Sequence, residues 1–238
     1  RLLCCLTATP ATPCDCFILR GTPMNNPLDF TYTTVFDRQY DLAHFLEQAA
    51  AEELPVEDLV FDGLTFDNIM AAGLEFHRCK FHNCRFIACQ MPKVYFKECL
   101  LEQCDLSGSR FTDSTLHDTM MQDCKLAGTQ LTGASLRDCR FLRCAGDFVS
   151  FSGCALRNTV FTGSRLPDAS FDSCRPQRLQ FEDTVLLHGD FTSTPLKGID
   201  FTSDHIEGIS VAGPELKGAI VNALQACDLA RLLGLTIK

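Results

Sequence analysis

The sequence predicts an all-β solenoid: a parallel β-helix of short stacked coils with an α-helix at each end. Three observations predict it. From Phe61 to Leu216, every fifth residue is a centre, and only Ala71, Gly146 and Pro176 among these 32 centres lack a large apolar side chain. Two residues before the centre the side chain is mostly small or β-branched, as at Cys79, Cys84, Val94, Ser109, Ser114 and Thr119. Two residues after it glycine recurs, as at Gly63, Gly108, Gly128, Gly163 and Gly208. A period of five is neither the 3.6 of a helix nor the 2 of an ordinary strand, so it marks an internal repeat.

The period has a physical reading. Each unit carries two inward positions, one small and one large, and leaves the others free to be polar. If one unit forms one side of a four-sided coil, twenty residues complete a turn and coils stack at about 4.8 Å. Large centres then lie on large centres, filling a narrow interior. No unit buries its apolar face alone, so stability is close to a sum over neighbouring coils. Gly, Asn and Asp crowd the remaining positions because corners demand them.

This pattern resembles the pentapeptide-repeat family over roughly residues 59–219. The resemblance implies a right-handed quadrilateral β-helix. At four units per coil it implies about eight coils, a rod on the order of 38 Å long at the spacing above.

Taken in order, residues 1–23 lack the pattern. They hold Cys4, Cys5, Cys14 and Cys16 and are broken by Pro10 and Pro13, which does not make a signal peptide. Met24 reads as a start, with 1–23 a flexible leader or non-native segment. Residues 24–58 read as an N-terminal cap. Within it, Leu42, Phe45, Leu46 and Ala49 give helical spacing over 38–53, Asp37 or Asp41 can cap it, and Pro55 ends the run. An amphipathic helix there would cover the open end of the first coil and its unpaired edge.

Residues 59–221 form the repeat. It weakens at Gly146, followed by Phe148 at an outward position, and at Pro176 in the polar run Arg175-Pro176-Gln177-Arg178. The phase survives both, so distorted coils are expected there rather than loops, with Phe148 folded back onto a corner or meeting a partner. Residues 222–238 read as a helix over Ala223–Leu233, a Gly234 C′ residue and a short strand from Leu235 to Lys238. The helix has more apolar surface than a cap needs, which suggests a homodimer through Leu229, Leu232, Leu233 and Ile237.

Composition bounds the function. The chain has 238 residues, no Trp, 19 Phe and a formal charge of −9. No apolar run approaches the ~18–20 residues of a membrane span. The charge argues against direct nucleic-acid binding and permits a basic protein partner. Ten of the 15 cysteines (Cys79, Cys84, Cys89, Cys99, Cys104, Cys124, Cys139, Cys144, Cys154 and Cys174) sit two before a centre. There a free thiol packs as a compact hydrophobe, and the spacing is poor for zinc. A cytoplasmic location, with its reducing chemistry, fits free thiols.

Catalytic signatures are missing: the sequence holds no HExxH, GxSxG, Walker A or GxGxxG motif. A filled rod also offers no natural cleft. The chain is therefore expected to be no enzyme and to need no cofactor or metal. Function falls to the surface, where outward charge is uneven. The side centred on Phe61 to Phe201 ends acidic with Glu182, Asp183 and Asp200, and the next side adds Asp204, Glu207 and Asp168. The side centred on Phe76 to Leu216 carries Arg157, Arg175, Arg178, Lys197 and Lys217.

The ending from Leu216-Lys217-Gly218 through Gln225-Ala226 and Leu229 to Leu232-Leu233-Gly234-Leu235-Thr236-Ile237 resembles the C-terminal module of Qnr-type and MfpA-like proteins. That resemblance implies an acidic, DNA-shaped dimeric rod. Such a rod binds DNA gyrase or topoisomerase IV and modulates it or protects it from quinolones. Asp183, Asp200, Glu207 and Glu182 would be its partner-binding residues. The chain departs from Gram-negative Qnr proteins, whose repeat is interrupted by projecting loops, because its phase never breaks. The alternative is a scaffold or effector rod for an unrelated protein partner.

Overall fold

In the computed structural model, residues 34–36, 42–232 and 234–237 are described. The expected leader over 1–23, the capping residues Asp37 and Asp41, and Leu233 lie outside them. The repeat folds as a parallel solenoid with a register of twenty residues. Phe61 pairs with Phe81, Phe76 with Phe96 and Leu116 with Leu136. A final bridge joins Asp200 to Ile220. Twenty residues per turn and five per unit give four faces.

The four faces are not equivalent. Those centred on Phe61 and Phe76 are ladders of regular strands, which merge into the eight-residue strands Ala155–Thr162 and Arg175–Glu182. On the Phe76 face the ladder runs from Val56–Glu57 to the Leu156↔Pro176 pair, which is six coil steps. The other two faces keep the register mainly by single bridges such as Arg85↔Asp105 and Gln90↔Arg110. Regular strand pairing thus covers about six turns, somewhat short of the eight expected, and isolated bridges carry the register onward.

The inward positions fill the rod. Phe61 stacks on Phe81 at 4.9 Å, Phe66 on Phe86 at 4.4 Å and Phe141 on Phe161 at 4.6 Å. Within a coil the rings meet edge to face, as Phe76 does Phe81 at 5.2 Å. Both arrangements suit the ring quadrupole. Corners fall two residues after each centre, where Gly63, Gly108 and Gly208 take positive φ. Asn and Asp tolerate the same left-handed region and share the task at Asn68, Asn83, Asp113 and Asp123. Each corner N–H reaches the next coil, as Asn83 N–H donates to the Glu102 carbonyl at 2.9 Å.

Neither weak point bulges. Gly146 keeps its register through the Ala145↔Arg165 bridge. A Cβ there would lie 3.0 Å from the Leu126 Cβ and 3.3 Å from the Leu166 side chain. The coils above and below have closed over the missing centre, so glycine is a packing choice. Phe148 does not fold back: it is 68% exposed at φ 57°, because a left-handed corner points its Cβ away from the core. Two residues just before a centre, Leu100 and Met120, are buried although the phase assigns them outward.

Helix α1 spans Leu42–Ala51 and buries Leu46 and Ala49. Phe36 lies 5.0 Å from Phe45 and 5.4 Å from Phe61, joining helix to first coil. Helix α2 spans Ala223–Leu232. Residues 235–237 form no strand, and Leu235 and Ile237 are exposed. The Leu235 N–H instead returns to the Ala230 carbonyl at 3.0 Å, closing the helix with Gly234 at φ 82°. None of the described helices is long and apolar enough to cross a membrane.

Candidate functional site

The position two before each centre does more than save space. Cys84 Sγ donates to the Phe61 carbonyl at 3.2 Å and Cys104 Sγ to Phe81 at 3.3 Å. Ser109 Oγ donates to Phe86 at 3.1 Å and Thr129 Oγ1 to Leu106 at 2.9 Å. In these the acceptor is 23 residues earlier, the centre of a unit in the preceding coil, whereas Ser114 and Thr159 donate to the carbonyls two residues before them. A small donor here gives a buried centre carbonyl a partner, as at Phe61, or adds to the turn N–H that already serves it, as at Leu106, which is why Cys, Ser and Thr recur where Ala would fit. All ten repeat cysteines are free and buried. Burial pushes the Cys139 and Cys154 thiols up to about 12.

One member of this column is a carboxylic acid. Cys84, Cys104, Cys124, Cys144, Ser164 and Thr184 are followed by Asp204. The repeat phase places Asp204 inward, and it is buried, not part of the surface strip. Its Oδ1 accepts the Thr184 N–H at 2.8 Å, while Oδ2 has no partner. Burial raises its carboxyl to about 6; the Thr184 N–H opposes this, and nearby Asp183, Asp200 and Glu182 add to it.

The remaining acids of the strip are exposed. Several acids along the rod are paired with cations or histidines, mostly one coil away. Arg78 Nε meets Asp58 at 2.6 Å, His82 Nδ1 meets Asp62 at 2.8 Å and Arg143 Nε meets Asp123 at 2.7 Å. Asp168 has His188 at 3.5 Å and Glu207 has His205 at 3.8 Å. Glu182, Asp183 and Asp200 have no ion pair among the described residues. Glu182 accepts the Thr162 hydroxyl at 3.2 Å. Thr202 donates to Asp200 through its hydroxyl at 2.7 Å and its N–H at 2.9 Å, holding that carboxyl below its ordinary range. Three uncompensated carboxylates therefore gather at the C-terminal end of the Phe61 face.

Beside them α2 docks on the last coil. Asn222 and Gln225 form a reciprocal capping box: Gln225 N–H donates to Asn222 Oδ1 at 3.0 Å and Asn222 N–H to Gln225 Oε1 at 2.8 Å. The Gln225 Nε2 also donates to the carbonyls of Phe201 at 2.7 Å and Asp204 at 2.8 Å. Sequence reading missed this anchor, although Asn-x-x-Gln before an apolar run was its signal. Leu229, expected at a dimer seam, turns onto the rod and is buried, because the register set by Gln225 places the next turn of that helix face over the coil. Leu224, Leu232, Leu235 and Ile237 are exposed.

Other clusters offer little chemistry. Among the described residues, His117, Asp118 and Asp138 could approach one ion. They are half-buried, and Arg137 Nε lies 3.3 Å from Asp138, so one of the two carboxylates is already paired. Two surface hollows of about 170 and 230 Å³ open on the sides.

Residues 74–151 match the family model described as a pentapeptide repeat region. A trypsin-treated form of QnrB1, described as a plasmid-mediated fluoroquinolone resistance protein, is similar at 16% identity. The match covers 86% of this chain and 96% of that one, with a TM-score of 0.35. HetL of the cyanobacterium Nostoc, described as a pentapeptide repeat protein involved in heterocyst differentiation regulation, is similar at 13% identity, 76% and 99% coverage and a TM-score of 0.30. No curated protein matches the sequence.

Proposed function

We propose that this pentapeptide-repeat rod is a non-enzymatic, cytoplasmic protein-binding module. Its C-terminal acidic strip enters the positively charged channel in which DNA gyrase or topoisomerase IV holds duplex, modulating the enzyme or shielding it from quinolones. The observation that supports this most is the contrast between acids paired across coils, such as Asp58 and Asp123, and the unpaired Glu182, Asp183 and Asp200. Unpaired surface carboxylates on a rigid rod present a fixed row of negative charge, as a phosphate backbone does. The sequence resemblance of the last residues to Qnr-type endings points the same way, and fluoroquinolone resistance is what QnrB1 is described as conferring. Exposed Leu224, Leu232, Leu235 and Ile237 are the surface through which two rods would join end to end as a homodimer.

The test is supercoiling of relaxed plasmid by gyrase, with and without a quinolone, titrated with the wild type and with Asp183→Lys/Asp200→Lys/Glu207→Lys. Wild type inhibits supercoiling or rescues it from the drug, and the charge-reversed rod does neither. The effect also weakens with salt, since exposed charges are screened within ~10 Å at 0.1 M. Absence of any wild-type effect on gyrase or topoisomerase IV at micromolar concentration overturns the reading. The second reading, a scaffold rod for an unrelated partner, is favoured by the unbroken phase through Gly146 and Pro176, which leaves no projecting loop.

A further inference from the structure

The opposite charge also goes unpaired, on a different face. Four stacked segments, 155–158, 175–178, 195–198 and 215–218, form the C-terminal part of the Phe76 face. They carry Arg157, Arg175, Arg178, Lys197 and Lys217, all exposed, and a single acid, Glu215. Glu215 is turned away: its oxygens accept the N–H groups of Ser193 at 2.9 Å and Ala212 at 3.1 Å. None of the five cations has an ion pair among the described residues, whereas Arg78, Lys80 and Arg143 elsewhere on the rod do. In a chain of net charge −9, this local excess of positive charge is not a consequence of composition.

A hollow lies within the patch. Pro176 occupies a centre that Leu156 and Leu196 fill in the coils on either side, and it remains half-buried. The resulting depression, about 170 Å³, is lined by Pro176, Pro195, Leu179 and Ile199, with Arg178 and Lys197 on its wall. An apolar floor beside unpaired cations suits a ligand that is anionic and carries an aliphatic group.

We propose that this face docks an acidic polypeptide segment, with carboxylates on Arg157, Arg175, Arg178, Lys197 and Lys217 and one apolar side chain over Pro176. Three coil steps separate Arg157 from Lys217, roughly 14 Å, the length of about four extended residues. Guanidinium groups take carboxylates bidentately. A nucleic-acid strand fits less well. Its charge runs on past the patch towards Asp118 and Asp138, and its backbone has no aliphatic group for the hollow. This inference does not rest on the topoisomerase reading, which uses another face.

The experiment is fluorescence anisotropy with a labelled hexaglutamate peptide carrying a central leucine, at low and high salt. Its glutamine counterpart and a single-stranded oligothymidylate serve as comparisons. The wild type binds the acidic peptide saturably, more tightly than either comparison, and salt weakens it. Arg175→Glu/Arg178→Glu/Lys197→Glu lowers affinity at least ~10-fold, which is about 1.4 kcal/mol, with an unchanged far-ultraviolet circular dichroism spectrum. Should that variant misfold, Arg157→Glu/Lys217→Glu, which leaves the hollow intact, gives the same loss. Retained binding in a folded variant, equal binding of the glutamine peptide, or tighter binding of the oligonucleotide overturns the proposal. Reversal of Asp183 leaves peptide binding undiminished, so this result separates from any failure of the topoisomerase assay.

Discussion

The carboxylate of Asp204 accepts the backbone N–H of Thr184 at 2.8 Å from a position the repeat reserves for a small donor. Thr184 itself donates to the carbonyl of Phe161, 23 residues earlier, at 3.1 Å. The corresponding acceptor for Asp204 is the Phe181 carbonyl, which an ionised carboxylate cannot serve. A protonated Asp204 would continue the column's chemistry, and an ionised one interrupts it beneath Glu182, Asp183 and Asp200.

Stability should therefore depend on pH in a stated direction. The folded carboxyl is raised to about 6 from the ~3.9 of a free aspartate. Its favourable contribution is complete below pH ~4 and is lost as pH rises through ~6. Asp204→Asn removes the ionised form and should raise stability at pH 8 by on the order of 1–2 kcal/mol. That is below the ~3 kcal/mol of a full two-unit displacement, because solvent screens this end of the rod. At pH 4 the two proteins should melt together. Parallel melting curves from pH 4 to 8 would remove Asp204 as the titrating group.

Phe111 tests the inward assignment. It is fully buried, with Phe86 and Phe96 edge-on at 6.2 and 6.4 Å. Phe111→Ala should cost roughly 3–5 kcal/mol. Thr112→Ala, on the outside of the same unit, should stay within about 0.5 kcal/mol. Denaturant midpoints of the two variants measure the difference.

The repeat thiols should be slow. With Cys139 and Cys154 pushed to about 12 by burial, almost no thiolate exists at pH 8. Among the described cysteines, a thiol reagent should label half-buried Cys227 first and reach the ten repeat cysteines only after denaturation. Fast native labelling of Cys104 or Cys124 contradicts the packing role.

At the end of the rod, two variants of α2 should behave differently. Leu232→Glu, at an exposed position, should leave the rod intact and yield monomers by light scattering if the proposed seam is real. Leu229→Glu, or Gln225→Ala, should loosen α2 from the last coil. The second strips the Asp204 carbonyl of its donor, about 1–3 kcal/mol for an unsatisfied group, while the Phe201 carbonyl keeps the Asp204 N–H at 2.9 Å. Hydrogen exchange confined to residues 199–232 reads that loosening, because distant coils depend only on their neighbours.

By itself the sequence determined the phase, and with it the identity of nearly every buried centre from Phe61 to Ile206 and the burial of the ten cysteines. A five-residue period of inward and outward positions is one-dimensional information, legible without any fold. By its charge Asp204 reads as part of the outward acidic side, whereas its place two residues before Ile206 is inward and it is buried. Only the tertiary structure decided what meets across coils. It paired Asp58 and Asp123 with cations one coil on and left Glu182, Asp183 and Asp200 without any. It closed Leu126 and Leu166 over Gly146, left a hollow at Pro176 and turned Leu229 inward through Gln225. Those outcomes depend on contacts twenty or more residues apart, set by stacking distance and by side-chain reach, and no local pattern encodes either.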